Sequence, residues 1–268
     1  MAQPVLVTGG TGTLGRQVVA RLRRAGEPVR VLSRRPRASD DDGVEYASGD
    51  LATGVGVEAA VDGVGTVVHC AGTQKGDGEK ARHLVRAASA AGVSHLAFIS
   101  VVGADAIPVD SPFDRAAFAY FASKRDAEIV VEGSGIPWTT LRATQFYDLT
   151  FLTVRAMAKL PLIPVPRGFR FQPVDSGEVA DRLVELALGA PAGLVPDLGG
   201  PAVYPMQDLI RSYLRATRQH RALLPIPMPG HAARAIRAGA NLAPDRAVGR
   251  RTWEDFLSRH AAALSRED

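Results

Sequence analysis

Eight residues near the start of the chain, Thr8-Gly9-Gly10-Thr11-Gly12-Thr13-Leu14-Gly15, constrain its fold more than any others. They follow an apolar run, Pro4–Thr8, and open a helix-like stretch, Thr13–Ala25. Two spacings overlap there. Gly10, Gly12 and Gly15 form G-x-G-x-x-G, while Gly9, Gly12 and Gly15 form the wider G-x-x-G-x-x-G. Glycine at these places permits a sharp strand-to-helix turn, lets the backbone approach a pyrophosphate, and lets the helix pack closely on the strand. The helix N-terminus then faces the anion. Gly9 to Gly15, with Thr11, Thr13 and Leu14 between the glycines, therefore reads as a dinucleotide-binding turn.

The next two hundred residues repeat the same alternation. Short apolar or β-branched runs at Val29–Ser33, Val44–Ala47, Thr66–His69, Leu96–Ser100 and Trp138–Leu141 read as strands. Gly54–Val61, Gly76–Ala91 and Phe113–Glu132 read as helices between them, several ended by glycine (Gly26, Gly63, Gly92, Gly133). Alternation of this kind builds βαβ units, so the fold class is α/β with a doubly wound parallel sheet. After Leu141 the rhythm changes to a proline-dense stretch, Leu160–Pro166, and helix-like segments at Ser176–Leu188, Gln207–Arg218, His231–Ala238 and Trp253–Ala263. The expectation is a core at 1–145 and a small C-terminal substrate lobe at 146–268, interleaved within one continuous domain.

The second strand runs into Ser33-Arg34-Arg35. An acidic residue at its end would hold a ribose 2′-hydroxyl, whereas an arginine accommodates a 2′-phosphate. The nearest acids, Asp40 to Asp42, come too late. Arg34 beside the adenine, with Ser33 and Arg35 near the phosphate, predicts NADP(H) in preference to NAD(H), because guanidinium pairs bidentately with phosphate. Asp50-Leu51 reads as an adenine contact or as a helix N-cap.

Composition narrows the class further. The formal charge is +4, but residues 201–268 carry 11 Arg against 6 acidic residues, while 1–200 are balanced. Arg211, Arg215, Arg218 and Arg221 are spaced singly through helix-like sequence, which favours a solvated helix face over an acidic or nucleic-acid partner. The apolar runs are much shorter than the ~20 residues of a membrane-spanning helix. The first eight residues lack the pattern of a secretory leader and Cys70 is the only cysteine, so a cytoplasmic protein without disulfides is expected. Cys70 reads as a buried small hydrophobe rather than a redox switch. The six histidines show no zinc spacing, so no metal is implied, and the G-x-S-x-G of a hydrolase elbow is absent.

Thr8–Gly15, Ser33-Arg34, Asp50-Leu51, His69-Cys70-Ala71-Gly72, Phe98-Ile99-Ser100 and Tyr120-Phe121-Ala122-Ser123-Lys124 follow in one order along the chain. That order resembles the short-chain dehydrogenase/reductase superfamily. Trp138–Phe146, Phe171–Ala180 and Gly199-Gly200-Pro201 resemble its atypical, NmrA-like, NAD(P)-binding branch. The resemblance implies a Rossmann-type core, with Cys70, Ala71 and Gly72 among the cofactor contacts. It implies that Lys124 holds the nicotinamide ribose and, with Tyr120 and Ser100, forms the catalytic set. Tyr120 and Lys124 at i, i+4 share one helix face. A phenol of ordinary pKa near ~10 must give up a proton as hydride arrives, and the nearby ammonium is expected to favour its phenolate. Ser100 is placed to polarise a substrate carbonyl. Gln145, Phe146 and Phe171 fall where this fold keeps its ligand crevice, and read as substrate contacts or as filling of the lobe's core.

Two functions follow as expectations: an NADPH-dependent oxidoreductase passing a hydride to a small carbonyl, quinone or enone-like molecule, or an NmrA-like redox-sensing regulator that binds NADP(H) without turnover. A nucleotide-sugar epimerase is disfavoured by the short lobe. The oligomeric state is left between monomer and homodimer.

Overall fold

A computed structural model describes residues 3–35 and 43–264, with side chains described to residue 260. Asp40 to Asp42, weighed above for the ribose, lie outside the described residues. The chain divides into two compact units: the residues up to Ser100, Ala119–Arg142 and Gly177–Pro196 form the first, and Val101–Phe118, Ala143–Ser176 and the residues from Asp197 onward form the second.

Strands β1 (Val5–Thr8), β2 (Val29–Ser33), β3 (Val44–Ser48), β4 (Thr66–His69), β5 (His95–Val101) and β6 (Trp138–Ala143) alternate with helices α1 (Thr13–Arg24), α2 (Val57–Val61), α3 (Asp77–Ala90) and α4 (Pro112–Glu132), and belong to the first unit apart from the start of α4, up to Phe118, and the last residues of β5 and β6. The sheet runs in the order β3-β2-β1-β4-β5-β6, extended at its far edge by one further strand. The order reverses between β1 and β4, and ligands of such sheets sit outside the carboxyl ends of the strands at that point. Each residue of β1 and of β5 is buried, as strands covered on both faces require. Helix α1 turns Leu14, Val18 and Leu22 inward at helical spacing. Leu6, Val67, Leu84, Leu96, Phe98 and Val131 belong to one core cluster.

The helix expected at Phe113–Glu132 forms, but Phe118 interrupts it with φ −130° and ψ 17°. The stretch after Leu141 holds more structure than expected. Helix α5 (Tyr147–Met157) was not foreseen, and the proline-dense stretch contains strand β7 (Leu162–Pro166), followed by β8 (Arg170–Phe171). Helix α6 (Ser176–Leu188) and β9 (Gly193–Leu194) belong mainly to the first unit, where β9 is the added edge strand, pairing Thr139 with Gly193. Then come β10 (Tyr204–Pro205), α7 (Met206–Ala216), β11 (Ala222–Ile226), α8 (His231–Ala238) and α9 (Trp253–Leu264). In the second unit β7 pairs in parallel with β11, and β8 antiparallel with β10. Its core gathers Tyr147, Phe151, Ile163, Tyr213, Trp253 and Phe256. Tyr147 donates from its hydroxyl to the Arg251 carbonyl at 2.8 Å, and the Trp253 indole donates to the Ser212 hydroxyl at 2.7 Å.

Candidate functional site

The glycines of the first turn do different work. Gly9 has φ +67°, and a Cβ there would lie 2.7 Å from the Ala71 nitrogen. A Cβ on Gly15 would lie 2.1 Å from the Gly9 carbonyl oxygen, and one on Gly10 would lie 2.8 Å from Cγ1 of Val31. Gly12 caps α1 without a side-chain hydrogen bond, and donates its own N–H to the Gly9 carbonyl at 2.9 Å. The first amides of a helix have no intrahelical partners, so this end is suited to an anion.

A cleft of about 320 Å³ opens beside this turn. Gly9, Thr11, Gly12, Ser33, Arg34, Asp50, Leu51, Cys70, Ala71 and Gly72, all expected from sequence, line it. Gly10, Leu14 and Gly15 are buried and shape the turn; Thr13 and Arg35 are exposed and are not part of the lining. The Ser33 hydroxyl donates to the Arg35 carbonyl at 2.9 Å. Asp50 accepts the Ala52 amide on Oδ1 at 2.9 Å, so it holds its own loop, while the residue capping α2 is Gly56. The N-cap reading of Asp50 is thus corrected. Cys70 is half-buried and faces the cleft, and burial pushes its thiol up to about 12, which keeps it protonated.

Thr73 and Lys80 also line the cleft and were not singled out from sequence. The one available signal was Lys80 following Asp77 by one helical turn. His69, fully buried, lies 2.7 Å by Nδ1 from the Thr8 hydroxyl, which accepts the Ala71 amide at 3.3 Å. This bracket ties the end of β1 to the turn after β4. Burial, and then the Lys124 charge, lower His69 to about 3, so the imidazole is neutral. Its ring stacks on Phe98 at 5.2 Å.

Lys124 is the centre of the remaining expected set. Its ammonium is buried, 3.3 Å from Asp77 Oδ2, donates to the Ile99 carbonyl at 3.4 Å, and lies 5.2 Å from the Phe98 ring centre and 5.9 Å from that of Tyr120. Tyr120 and Lys124 therefore do share a helix face. Burial first, and then the Asp77 carboxylate, hold the Tyr120 phenol well above its ordinary value. The expected drift toward phenolate is corrected: the protonated phenol is the resting form. Ser100 is buried, and its hydroxyl has no hydrogen-bond partner among the described residues.

In the second unit, Gln145 accepts the Val174 amide on its carbonyl at 2.8 Å, with Oε1 buried and unpartnered. Half-buried Phe146 caps α5. Phe171 is half-buried in β8, packs on the second unit's core, and meets Phe169 edge-on at 6.5 Å. Arg211, Arg215, Arg218 and Arg221 are all exposed, Arg211 pairing with Asp208 at 3.5 Å. Among the described residues no His, Cys, Asp and Glu group could hold a metal ion, and no helix is long and apolar enough to cross a membrane.

The fold and its glycine turn define a dinucleotide-binding α/β protein, and the residues fit that ligand: Gly9 would lose its close approach to Ala71 with any side chain, and a buried hydroxyl at Ser100 is left open. A family model described as NAD(P)H-binding matches residues 9–187, and the chain belongs to that family. It is 34% identical over 150 residues to a (4-alkanoyl-5-oxo-2,5-dihydrofuran-3-yl)methyl phosphate reductase of Streptomyces griseus, covering 54% of this chain and 49% of that one. It is 29% identical over 179 residues to an NAD(P)H azoreductase of Xenophilus azovorans, covering 66% and 57%. The chain thus spans about half the length of the curated relatives it matches. An NADPH-dependent quinone oxidoreductase of Escherichia coli, solved with NADPH, shares the fold with a TM-score of 0.78 at 16% identity, over 95% of this chain and 99% of that one. The expected NAD(P)-binding family is shown by that match, and the fold is shared with a solved NADPH-dependent oxidoreductase.

Proposed function

We propose that the chain is an NADPH-dependent oxidoreductase that passes a hydride to a small carbonyl, quinone or enone-like substrate. The observation that carries this reading is the buried Lys124 ammonium, held between Asp77, the Ile99 carbonyl and the Tyr120 ring, one residue along from the unpartnered hydroxyl of Ser100. A phenol, an ammonium and an orphaned hydroxyl on one sheet end suit proton delivery to an oxygen that gains negative charge. The names of the relatives, a dihydrofuranone phosphate reductase, an azoreductase and a quinone oxidoreductase, support a reductase role.

When bound, NADPH supplies the hydride. Tyr120 then donates its phenolic proton to the substrate oxygen, Ser100 donates a hydrogen bond to the same oxygen, and Lys124 grips the nicotinamide ribose. Arg34, exposed at the cleft, would hold the 2′-phosphate, with Ser33 beside it in the lining. Titration of the purified chain with NADPH and NADH, followed by NADPH oxidation against quinones, ketones and enones, tests the reading. Tight NADPH binding with turnover of a panel member supports it. Tight binding with every panel member silent supports the cofactor-sensing alternative instead.

A further inference from the structure

One buried carboxylate stands outside the roles given so far. Asp77 opens α3 with its side chain only 1% exposed. Its Oδ1 accepts from the Thr73 amide at 2.9 Å, from the Thr73 hydroxyl at 3.2 Å and from Lys80 at 3.2 Å. Its Oδ2 has no hydrogen-bond partner and faces Lys124 at 3.3 Å. The Asp77 amide in turn donates to the Ser123 hydroxyl oxygen at 3.0 Å, which ties the start of α3 to the residue before Lys124. Gly72 makes room for the pair: a Cβ there would lie 2.7 Å from the Lys124 ammonium and 3.2 Å from Asp77 Oδ2.

We infer that Asp77 is a positioning residue for the cofactor: it fixes the Lys124 ammonium through Oδ2 and the cleft-lining Lys80 ammonium through Oδ1. The inference rests on the proposed role of Lys124 toward the cofactor ribose. A buried charge is costly unless it is paired, so the carboxylate beside Lys124 decides where its side chain rests. Neutral His69 and the protonated Cys70 thiol add no charge nearby. Asp77 therefore stands as one anion between two ammonium groups. It aims Lys124, and leaves the cluster with one surplus positive charge, the sign a polyanionic dinucleotide needs.

The test is the NADPH dissociation constant of the full chain, read by cofactor fluorescence, for the wild type, Asp77→Asn, Lys124→Met and the double variant. Residues that act through one another give non-additive losses, so each single substitution is expected to weaken NADPH by about tenfold or more and the double to be no weaker than the worse single. The double variant removes both charges of the pair and leaves no lone buried ion between them. If a single variant does not fold, wild-type affinity in the double still overturns the inference and weakened affinity supports it. Additive losses overturn it as well. If Lys124→Met weakens NADPH while Asp77→Asn does not, the Asp77 assignment alone fails. If Lys124→Met binds as the wild type does, the proposed role of Lys124 fails and Asp77 falls with it.

Discussion

Arg142 grips Glu128 through two parallel hydrogen bonds, Nε to Oε1 and Nη2 to Oε2, both at 2.7 Å, and both side chains are buried. The pair joins β6 to α4, the helix that carries Tyr120 and Lys124, so it fixes the helix by charge as well as by packing. Truncating one partner of such a pair strands a buried charge, and Glu128→Gln is expected to lose about 3–5 kcal/mol of stability. Replacing both, as Glu128→Leu with Arg142→Met, is expected to recover most of that, because a well-packed apolar pair avoids the desolvation cost. Urea unfolding of the three proteins checks it; a Glu128→Gln protein as stable as wild type removes the pair from the account of how α4 is held.

His69 gives a stability limb in acid. Its folded value, about 3, lies below its ordinary 6.5, so between those values the unfolded chain binds a proton that the folded chain refuses. Stability therefore rises with pH across that window: the full amount is present above pH 6.5, and it is lost as pH falls toward 3. For a fully buried ring the loss is on the order of 5 kcal/mol. Chemical denaturation from pH 7 to pH 4 should show the decline, and His69→Asn should flatten it. A slope unchanged in the variant assigns the limb to carboxylates instead.

The parts legible in the sequence were those whose constraints are local. The glycine turn announces itself because the positive φ of Gly9 and the approach of Gly15 to the Gly9 carbonyl are set within the motif, while the contact of Gly9 with Ala71 comes only from the fold. The main strands showed as apolar runs because both sheet faces are covered, while β9 is two residues long and has no pattern to read. Helix α5 stayed hidden because Thr150, Thr153 and Val154 weaken its helical signature and Phe146, at its N-cap, offers no capping side chain. Strand β7 was masked by Pro164 and Pro166, which sit in a two-stranded sheet with little ladder to disrupt. Asp77 was invisible for another reason: an acid at a helix start reads as a dipole partner, and only the fold brings Lys124 to it.

Arg34 sets the expected cofactor preference. It lies exposed on the cleft wall just past β2, where its guanidinium is available to a phosphate. Charge-assisted hydrogen bonds of this kind contribute about 1.5–3 kcal/mol each, so Arg34→Ala should weaken NADPH by roughly tenfold to more than a hundredfold and leave NADH nearly unchanged. Parallel titrations with the two nucleotides measure the difference. Equal losses for both would contradict pairing with the 2′-phosphate and point to a general contact with the adenosine half.

Tyr120 is the last and most direct test of the chemistry. Burial and the neighbouring Asp77 carboxylate raise its phenol, so the proton-donating form is fully populated at neutral pH. The sign follows: turnover should stay level as pH rises toward the ordinary phenol value of about 10, rather than fall through a lowered one. Tyr120→Phe removes the proton and leaves the ring over Lys124, so NADPH affinity should be kept while turnover drops by about 10²–10⁴-fold, the usual worth of a positioned general acid. Steady-state rates across pH for both proteins, with NADPH titrations alongside, separate the two effects. Retained turnover in the variant removes Tyr120 as the acid, and shifts proton delivery to Ser100 or to solvent.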